Sequence, residues 1–378
     1  MPNLTNSFES FLNRLELPPE VLQKIERAQS LIEVALKNGL ETFSVTGQGG
    51  GEKLTPKFIP QGSKVYKTVN YPCHVPPQQV DYDLGVYLPV SYHEENKQPR
   101  IAAHDYFSQV DSILSGLAQV HGWRIDRTKP TCSRLIVDSL IHVDVPLYSM
   151  PDVEFQRLSK ALESERLIKN SRGESFVLDN EIEFWDDFDA DKVLLCIRKG
   201  TWEPSDPRKI SKAVKVLVFK HGEQLRRVWR YLKAWRDNLW PQGGPSSIYL
   251  MFAALKTYQS ALRRDDHALL SALNVFGVAS KTPVITTEDE NLTNNQKPED
   301  LLILEKASVS FLADLQQAIN LPEDDGRAEG IVSKHLGSRF VWAPKPTKTS
   351  GKTDQEKAAL IQQHHTQNPV TRPHFKNG

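Results

Sequence analysis

Cysteine is scarce in this chain: there are three among 378 residues, Cys73, Cys132 and Cys196, far apart and without a CxxC pair. That excludes a disulfide framework and a zinc ribbon and fits a reducing compartment. An excess of charge of one sign is also missing. Lys plus Arg and Asp plus Glu stand at 47 each, so no global cationic field holds duplex nucleic acid, and nucleotide binding has to be local. The longest apolar run, "IYLMFAAL" from Ile248, falls far short of a membrane span. The start, "MPNLTNSFES", lacks the basic region and apolar run of a signal peptide. These absences predict a cytoplasmic chain without a membrane contact.

What is present reads as an α+β protein of two lobes and a tail, because 378 residues exceed one comfortable core. Residues 18–40 carry Val21, Ile25, Ala28, Ile32, Ala35 and Leu36 at helical spacing and close on Asn38-Gly39, which predicts a long helix. Strands are predicted near residues 80–88 and 135–147, with the helix "AAHDYFSQVDSILSGLAQV" between them. From about residue 208 the texture turns helical: "KISKAVKVLVFKHGEQLRRVWRYLKAWRDNL" reads as one helix, followed by "SSIYLMFAALKTYQSAL" and "DLLILEKASVSFLADLQQAI". After Trp342 the composition is polar and aperiodic, the signature of a disordered tail. The expected divisions are 1–207, 208–342 and 343–378.

The chemistry starts in "PQGSKVYKTVNYPCHVPPQQVDYDLGVYLP", residues 60–89. Asp81 and Asp83 lie two apart in a strand, so both carboxylates leave the same face, and like charges that close repel. A divalent cation offsets such repulsion. A third carboxylate is offered by "SRLIVDSLIHVDVPLY", where His142, Asp144 and Pro146 alternate with Ile141, Val143 and Val145. If the two strands are neighbours, three carboxylates converge and suit two metal ions roughly 4 Å apart, the arrangement that clamps an in-line phosphoryl displacement. Gly62-Ser63 adds backbone N–H groups and a hydroxyl for an anion, with glycine permitting close approach. Phosphate cradle and carboxylates together predict nucleotidyl transfer.

Other features read more plainly. Arg226, Arg227, Arg230 and Arg236 are each expected to meet water on the outer face of a helix, and Trp229, Trp235 and Trp240 to be core. Asp186, Asp187, Asp189 and Asp191 lack the glycine and terminal glutamate of a calcium loop and read as a solvated acidic turn. Asp324 and Asp325 read as a turn, and His364, His365 and His374 as solvated side chains of the tail.

"QGSKVYKTVNYP", "VDYDLGVYLP", "IHVDVPLY" and "GTWEPSDPRKI", in that order, resemble the cGAS/DncV-like nucleotidyltransferases (CD-NTases) of bacterial CBASS anti-phage systems, and "YLKAWRDNLWPQGGPSSIYL" resembles their helical lobe. The resemblance implies a Pol-β-like core with an α-helical lobe and nucleotides bound between them. It implies metal binding by Asp81, Asp83 and Asp144, with Asp144 helping to activate a ribose hydroxyl and Mg2+ or Mn2+ as cofactor, two ions per site. Gly62 and Ser63 would contact the triphosphate, Lys233, Ser246 and Ser247 its outer phosphates, and Gln61 and Tyr66 the nucleotide, with Trp202 and Asp206 marking a segment near the cleft. ATP and GTP would be joined into a cyclic di- or trinucleotide that switches on a separate effector protein. The pattern is nearest clade D, whose products include cyclic AMP-AMP-GMP. No Cys/His cluster stands where animal cGAS has its DNA-gripping zinc insertion, so DNA activation is not implied. A tail ending at Gly378 suits attachment by a ubiquitin-activating-like enzyme. Two other readings stay open: a non-cyclising transferase that makes linear oligoadenylate or moves AMP to RNA, protein or antibiotic, and a catalytically silent nucleotide sensor. Three unpaired carboxylates would argue against the sensor.

Overall fold

The structure is a computed structural model that describes residues 4–41, 55–89, 99, 102–172, 192–286, 290–322 and 326–341. The chain divides into two units, Met1–Trp342 and Ala343–Gly378, and every described residue lies in the first. The tail, the acidic run around Asp186–Asp191, and Asp324 and Asp325 fall outside the described residues.

A seven-stranded mixed sheet forms one lobe. Its strands are β1 (Lys57–Gln61), β2 (Val80–Pro89), β3 (Arg124–Asp126), β4 (Cys132–Ile136), β5 (Ile141–Met150), β6 (Leu194–Ile197) and β7 (Thr201–Pro204). The spatial order is β1-β2-β5-β4-β3, with β6 pairing to β5 and β7 pairing to β6. Only β2 and β5 run parallel; α3 (Gly62–Val65) follows β1, α4 (Ala103–His121) belongs to the crossover between β2 and β5, and α5 (Asp152–Arg172) follows β5.

Strict alternation on β2 and β5 decides which face is which. Val80, Tyr82, Leu84, Val86 and Leu88, with Ile141, Val143, Val145 and Leu147, pack against α2 (Pro19–Glu41) and α4 in one buried cluster. The intervening residues, among them Asp81, Asp83, His142 and Asp144, are therefore turned to the opposite face. α2 lies where residues 18–40 were expected to be helical but runs through Asn38-Gly39 to Glu41; Val21, Ile25, Ala28, Ile32 and Leu36 of the expected stripe are buried, Ala35 is only half-buried, and Leu40 joins them.

The second lobe is helical and differs from expectation in two ways. The long helix expected across residues 209–239 is broken at Gly222, which takes φ +78 and separates α6 (Pro207–His221) from α7 (Glu223–Leu239). A left-handed backbone ends one helix and begins the next, a role glycine fills without a Cβ penalty. The helix read from "SSIYLMFAALKTYQSAL" is shorter, running only from Ser247 to Ala254 as α8. Around α7 stand α9 (Asp265–Leu273), α10 (Pro298–Asn320) and α11 (Arg327–Leu336).

The first helix, α1 (Thr5–Leu15), packs into the helical lobe: Phe8, Phe11 and Leu15 are buried with Trp229, Tyr231, Trp235 and Phe340. It is pinned by Thr5 Oγ1 donating to the Arg263 carbonyl at 2.8 Å and by Leu4 N donating to Asp266 at 3.2 Å. Residues 4–15, counted with the sheet lobe from sequence, thus contribute to the other core.

The lobes are tied along the segment after β1. Asn70 and Arg230 exchange two hydrogen bonds of 2.9 Å, Gln78 donates to the carbonyls of Asp237 (2.7 Å) and Trp240 (2.9 Å), and Arg339 donates to the Tyr71 carbonyl at 2.7 Å.

Candidate active site

β2 and β5 deliver the carboxylates in register. Asp81 stands beside His142 and Asp83 beside Asp144 across the parallel pair, as the neighbouring-strand expectation requires. On the other side β1 pairs Gln61 with Asp83, so the turn that follows, Gly62-Ser63, sits against the same carboxylate. Gly62 takes φ +62, and a Cβ there would overlap Asp83 Oδ2. Glycine is required twice at this position, for the left-handed backbone and for the close approach.

Two basic side chains whose role the sequence reading missed partner two of the three acids. Arg134, opposite Asp144 in the antiparallel β4–β5 register, donates from Nε to Oδ1 at 2.6 Å and from Nη2 to Oδ2 at 2.7 Å. His142 Nε2 lies 2.7 Å from Asp81 Oδ1, and its Nδ1 lies 3.2 Å from Gln79 Oε1. The premise of three unpaired carboxylates fails, and with it the stability argument against a silent nucleotide binder. Asp83 alone has no hydrogen bond or ion pair among the described residues.

The electrostatics follow that division. Burial first, then the charges of Asp81 and Asp144, push the Asp83 carboxyl up to about 7 against the pull of Arg134 and Lys129. Burial also raises Asp81, but the hydrogen bond and charge of His142, with Arg134 and Lys129, outweigh it and hold Asp81 below the ordinary carboxylate value. Ligand atoms of Asp81, His142 and Asp144 lie within 4.8 Å of one another. That group is two carboxylates and an imidazole, with Asp83 next to it rather than in it; the carboxylate oxygens fit a hard divalent cation such as Mg2+, and the imidazole suits a softer one.

Asp81 and Asp83 open onto a cleft of about 600 Å³ between the lobes, whereas Asp144 is buried behind them under Arg134 and does not line it. Gly62, Ser63, Tyr66, Lys233, Ser246 and Ser247 line it, as the resemblance implied, together with Asp81 and Asp83. Lys233 is buried and donates to the Thr68 carbonyl at 2.6 Å. Burial, with the nearby Arg236, pushes its amine down to about 8. Arg236 also lines the cleft, donating to the Pro245 carbonyl at 2.9 Å and to Ser247 Oγ at 3.4 Å. Ser246 caps α8 by accepting from Tyr249 N at 3.2 Å.

Gln61, Trp202 and Asp206 do not join this group. The Gln61 amide lies on the same face as the carboxylates but is taken up by a tyrosine pair, donating to the Tyr87 hydroxyl at 2.9 Å and accepting from the Tyr148 hydroxyl at 3.2 Å. Trp202 packs with the cluster beneath α2 and α4, its ring 6.3 Å from that of Tyr106. Asp206 caps α6, accepting from the Arg208 backbone at 2.9 Å and from its guanidinium at 2.8 Å.

The solvated reading of the α7 cations fails for Arg230, which is buried between Asn70 and Glu16. Arg227 also has a partner, donating at 2.7 Å to each oxygen of the fully buried Asp265. Trp229 and Trp235 are core, as expected, while Trp240 is buried yet also lines the cleft. Arg134, Lys129 and His142 are among the cleft residues to which the sequence reading gave no role, as are Asn70, Gln79 and Asp237. Arg134 carried one usable signal, since "SRLIV" alternates two residues before the turn to β5, which sets an arginine across from an aspartate. Gly378 lies outside the described residues.

Two domain families match in the same order as the lobes: the nucleotidyltransferase domain of cyclic GMP-AMP synthase DncV-like proteins over residues 56–148, and the C-terminal domain of cyclic GMP-AMP synthase over residues 222–339. The cyclic GMP-AMP synthase of Vibrio cholerae serotype O1 is 38% identical over 214 residues, 55% of this chain and 48% of that protein. One from Escherichia coli is 38% identical over 220 residues, 57% of this chain and 49% of that protein. The chain thus spans about half the length of the curated relatives it matches. Among solved structures, Vibrio cholerae DncV with the linear intermediate 5' pppA(3',5')pG superposes with a TM-score of 0.72 at 23% identity, covering 90% of this chain and 97% of that one. A DncV mutant with ATP, GTP and 5MTHFGLU2 gives 0.73 at 23% identity, with the same coverage. Carboxylates on a parallel strand pair, a Gly-Ser turn against them and matching domains in both lobes lead to one conclusion: the chain belongs to the DncV-like nucleotidyltransferases, the CD-NTase family.

Proposed function

We propose that the protein is a metal-dependent nucleotidyltransferase that joins ATP and GTP into a cyclic dinucleotide. The observation that carries this is that Asp81 and Asp83 face Ser63 and Lys233 across one cleft, with Asp144 in register beside Asp83. The relatives are named cyclic GMP-AMP synthases, which favours a dinucleotide of those bases over the cyclic AMP-AMP-GMP of the clade D resemblance.

Asp81, Asp83 and Asp144 would hold two divalent ions, Mg2+ or Mn2+, which when bound supply charge neutralisation for a triphosphate and for the attacking hydroxyl. The protein's own groups do the rest. Ser63 and the Gly62-Ser63 backbone bind phosphate oxygens; Lys233, with Arg236 and Ser247, draws the outer phosphates toward the helical lobe and so orients the α-phosphorus over the carboxylates. Asp144 accepts the proton of the ribose hydroxyl, whose oxygen then displaces pyrophosphate. A second round on the linear intermediate closes the ring.

Anti-phage defence, an effector that reads the product, a cytoplasmic setting and conjugation at Gly378 belong to the same reading; among the described residues no helix is long and apolar enough to cross a membrane. The test is incubation of purified protein with labelled nucleoside triphosphates and Mg2+ or Mn2+, then phosphatase treatment and chromatography, with Asp83→Asn beside it. A phosphatase-resistant product that is absent from the variant and needs both ATP and GTP supports the reading. A linear product supports a non-cyclising transferase, and nucleotide binding without any product supports the sensor.

A further inference from the structure

We propose that Arg134 is the resident counterion of the carboxylate cluster, a positioning residue that holds Asp144 in place in the metal-free protein and must release it before a second divalent ion loads. This rests on the metal-dependent reading above.

Arg134 takes both oxygens of Asp144 in a paired fork, at 2.6 and 2.7 Å, while its Nη2 also reaches within 4.0 Å of Asp81 Oδ1. The guanidinium therefore sits between the two outer acids, where a cation shared by them would sit. Its side chain is 17% exposed and that of Asp144 9%, so water screens the pair little. The β4–β5 register fixes both backbones, which leaves the side chain as the part that can move.

An ion approaching Asp144 meets oxygens already directed at guanidinium N–H groups, and a dication a few ångströms from a guanidinium is repelled. Asp83 carries no such partner. The first ion thus loads at Asp81 and Asp83 in exchange for the His142 contact, and the second waits for Arg134. Once released, Arg134 still borders the cleft beside Lys129, and its planar fork suits phosphate oxygens. Nucleotide and second ion would then each favour the other's binding.

The experiment titrates Mn2+ into the full metal-free chain and follows free Mn2+ by electron paramagnetic resonance, for wild type, Arg134→Met, Arg134→Lys and Asp83→Asn. Wild type should bind one ion and a second at least about tenfold more weakly. Arg134→Met should tighten the second by about tenfold or more, the factor expected for losing a competing charge-assisted pair. Arg134→Lys, which keeps a charge but loses the fork, should tighten it less, and carries the comparison if the Met variant does not fold. A merely structural arginine would lower Mn2+ affinity when replaced, so unchanged or weaker binding in a folded variant overturns the proposal. If Asp83→Asn abolishes binding that Arg134 does not influence, only this proposal fails. If wild type binds no Mn2+, the metal-dependent reading fails with it.

Discussion

Replacing Asp83 by Asn should stabilise the metal-free protein at pH 8 and leave it nearly unchanged at pH 4. Asp83 is the carboxylate without a cationic partner, and burial with two neighbouring acids moves it from 3.8 to about 7. An acid whose folded pKa exceeds its unfolded value holds more protons in the native state between those two values, so stability falls as pH rises through that window and levels off above it. At about 1.4 kcal/mol per pH unit the full penalty is on the order of 4 kcal/mol above pH 7, shrinking to nothing below pH 4. Asparagine keeps the shape and removes the charge, so the variant should gain most of that difference. Urea denaturation in EDTA at pH 4, 6 and 8 reads it directly. Saturating Mg2+ should reverse the ranking at pH 8, because ligand that binds only the native site stabilises the wild type. A gap between variant and wild type that does not grow with pH, or a variant less stable than wild type at pH 8 in EDTA, would refute the reasoning.

Gly62→Ala forces a side chain into φ +62 and against Asp83; it should cost about 1–2 kcal/mol from the backbone alone, seen in denaturation, and reduce nucleotidyl transfer at least about tenfold, seen in product formation, by displacing a ligand carboxylate. Lys233 titrates at about 8 in the free site, so its charge is present below that value and lost above it; ATP affinity measured by calorimetry should fall between pH 7 and 9.5, and Lys233→Met should flatten the profile. Arg227→Ala leaves the fully buried Asp265 to the Gln224 amide and the Tyr231 hydroxyl as side-chain donors and should destabilise the helical lobe by about 1.5–3 kcal/mol, read as a lowered thermal midpoint. Asp206→Ala removes the α6 cap and should cost about 1–2 kcal/mol of stability while leaving the ATP dissociation constant unchanged.

The acidic half of the site was legible from local pattern. Period-two alternation on β2 and β5 fixes which side chains share a face, so Asp81, Asp83 and Asp144 fall together once the two strands are neighbours. The cationic half was not, because Arg134 and His142 matter through register: which residue stands opposite Asp144 or beside Asp81 is decided by strand pairing, not by neighbours in sequence. The same limit explains Gln61 and Asp206. Position in a motif put both near a nucleotide, whereas tertiary packing gave the first a tyrosine pair and the second a helix end. In the helical lobe, long apolar stripes announced α7 and α10, but Gly222 was absorbed into a continuous periodicity that its left-handed backbone in fact interrupts.

The lodging of α1 has a consequence for how the chain is made. Phe8 and Phe11 leave the ribosome about two hundred residues ahead of the residues that bury them, from Leu225 on α7 to Phe340 beyond α11. The sheet lobe lies between and can fold as soon as β7 is out, while the opening helix keeps an uncovered aromatic face throughout synthesis. Any nascent chain halted before α7 therefore carries that face into the cell, a ready substrate for chaperones or for aggregation, until α7 and Phe340 arrive to cover it.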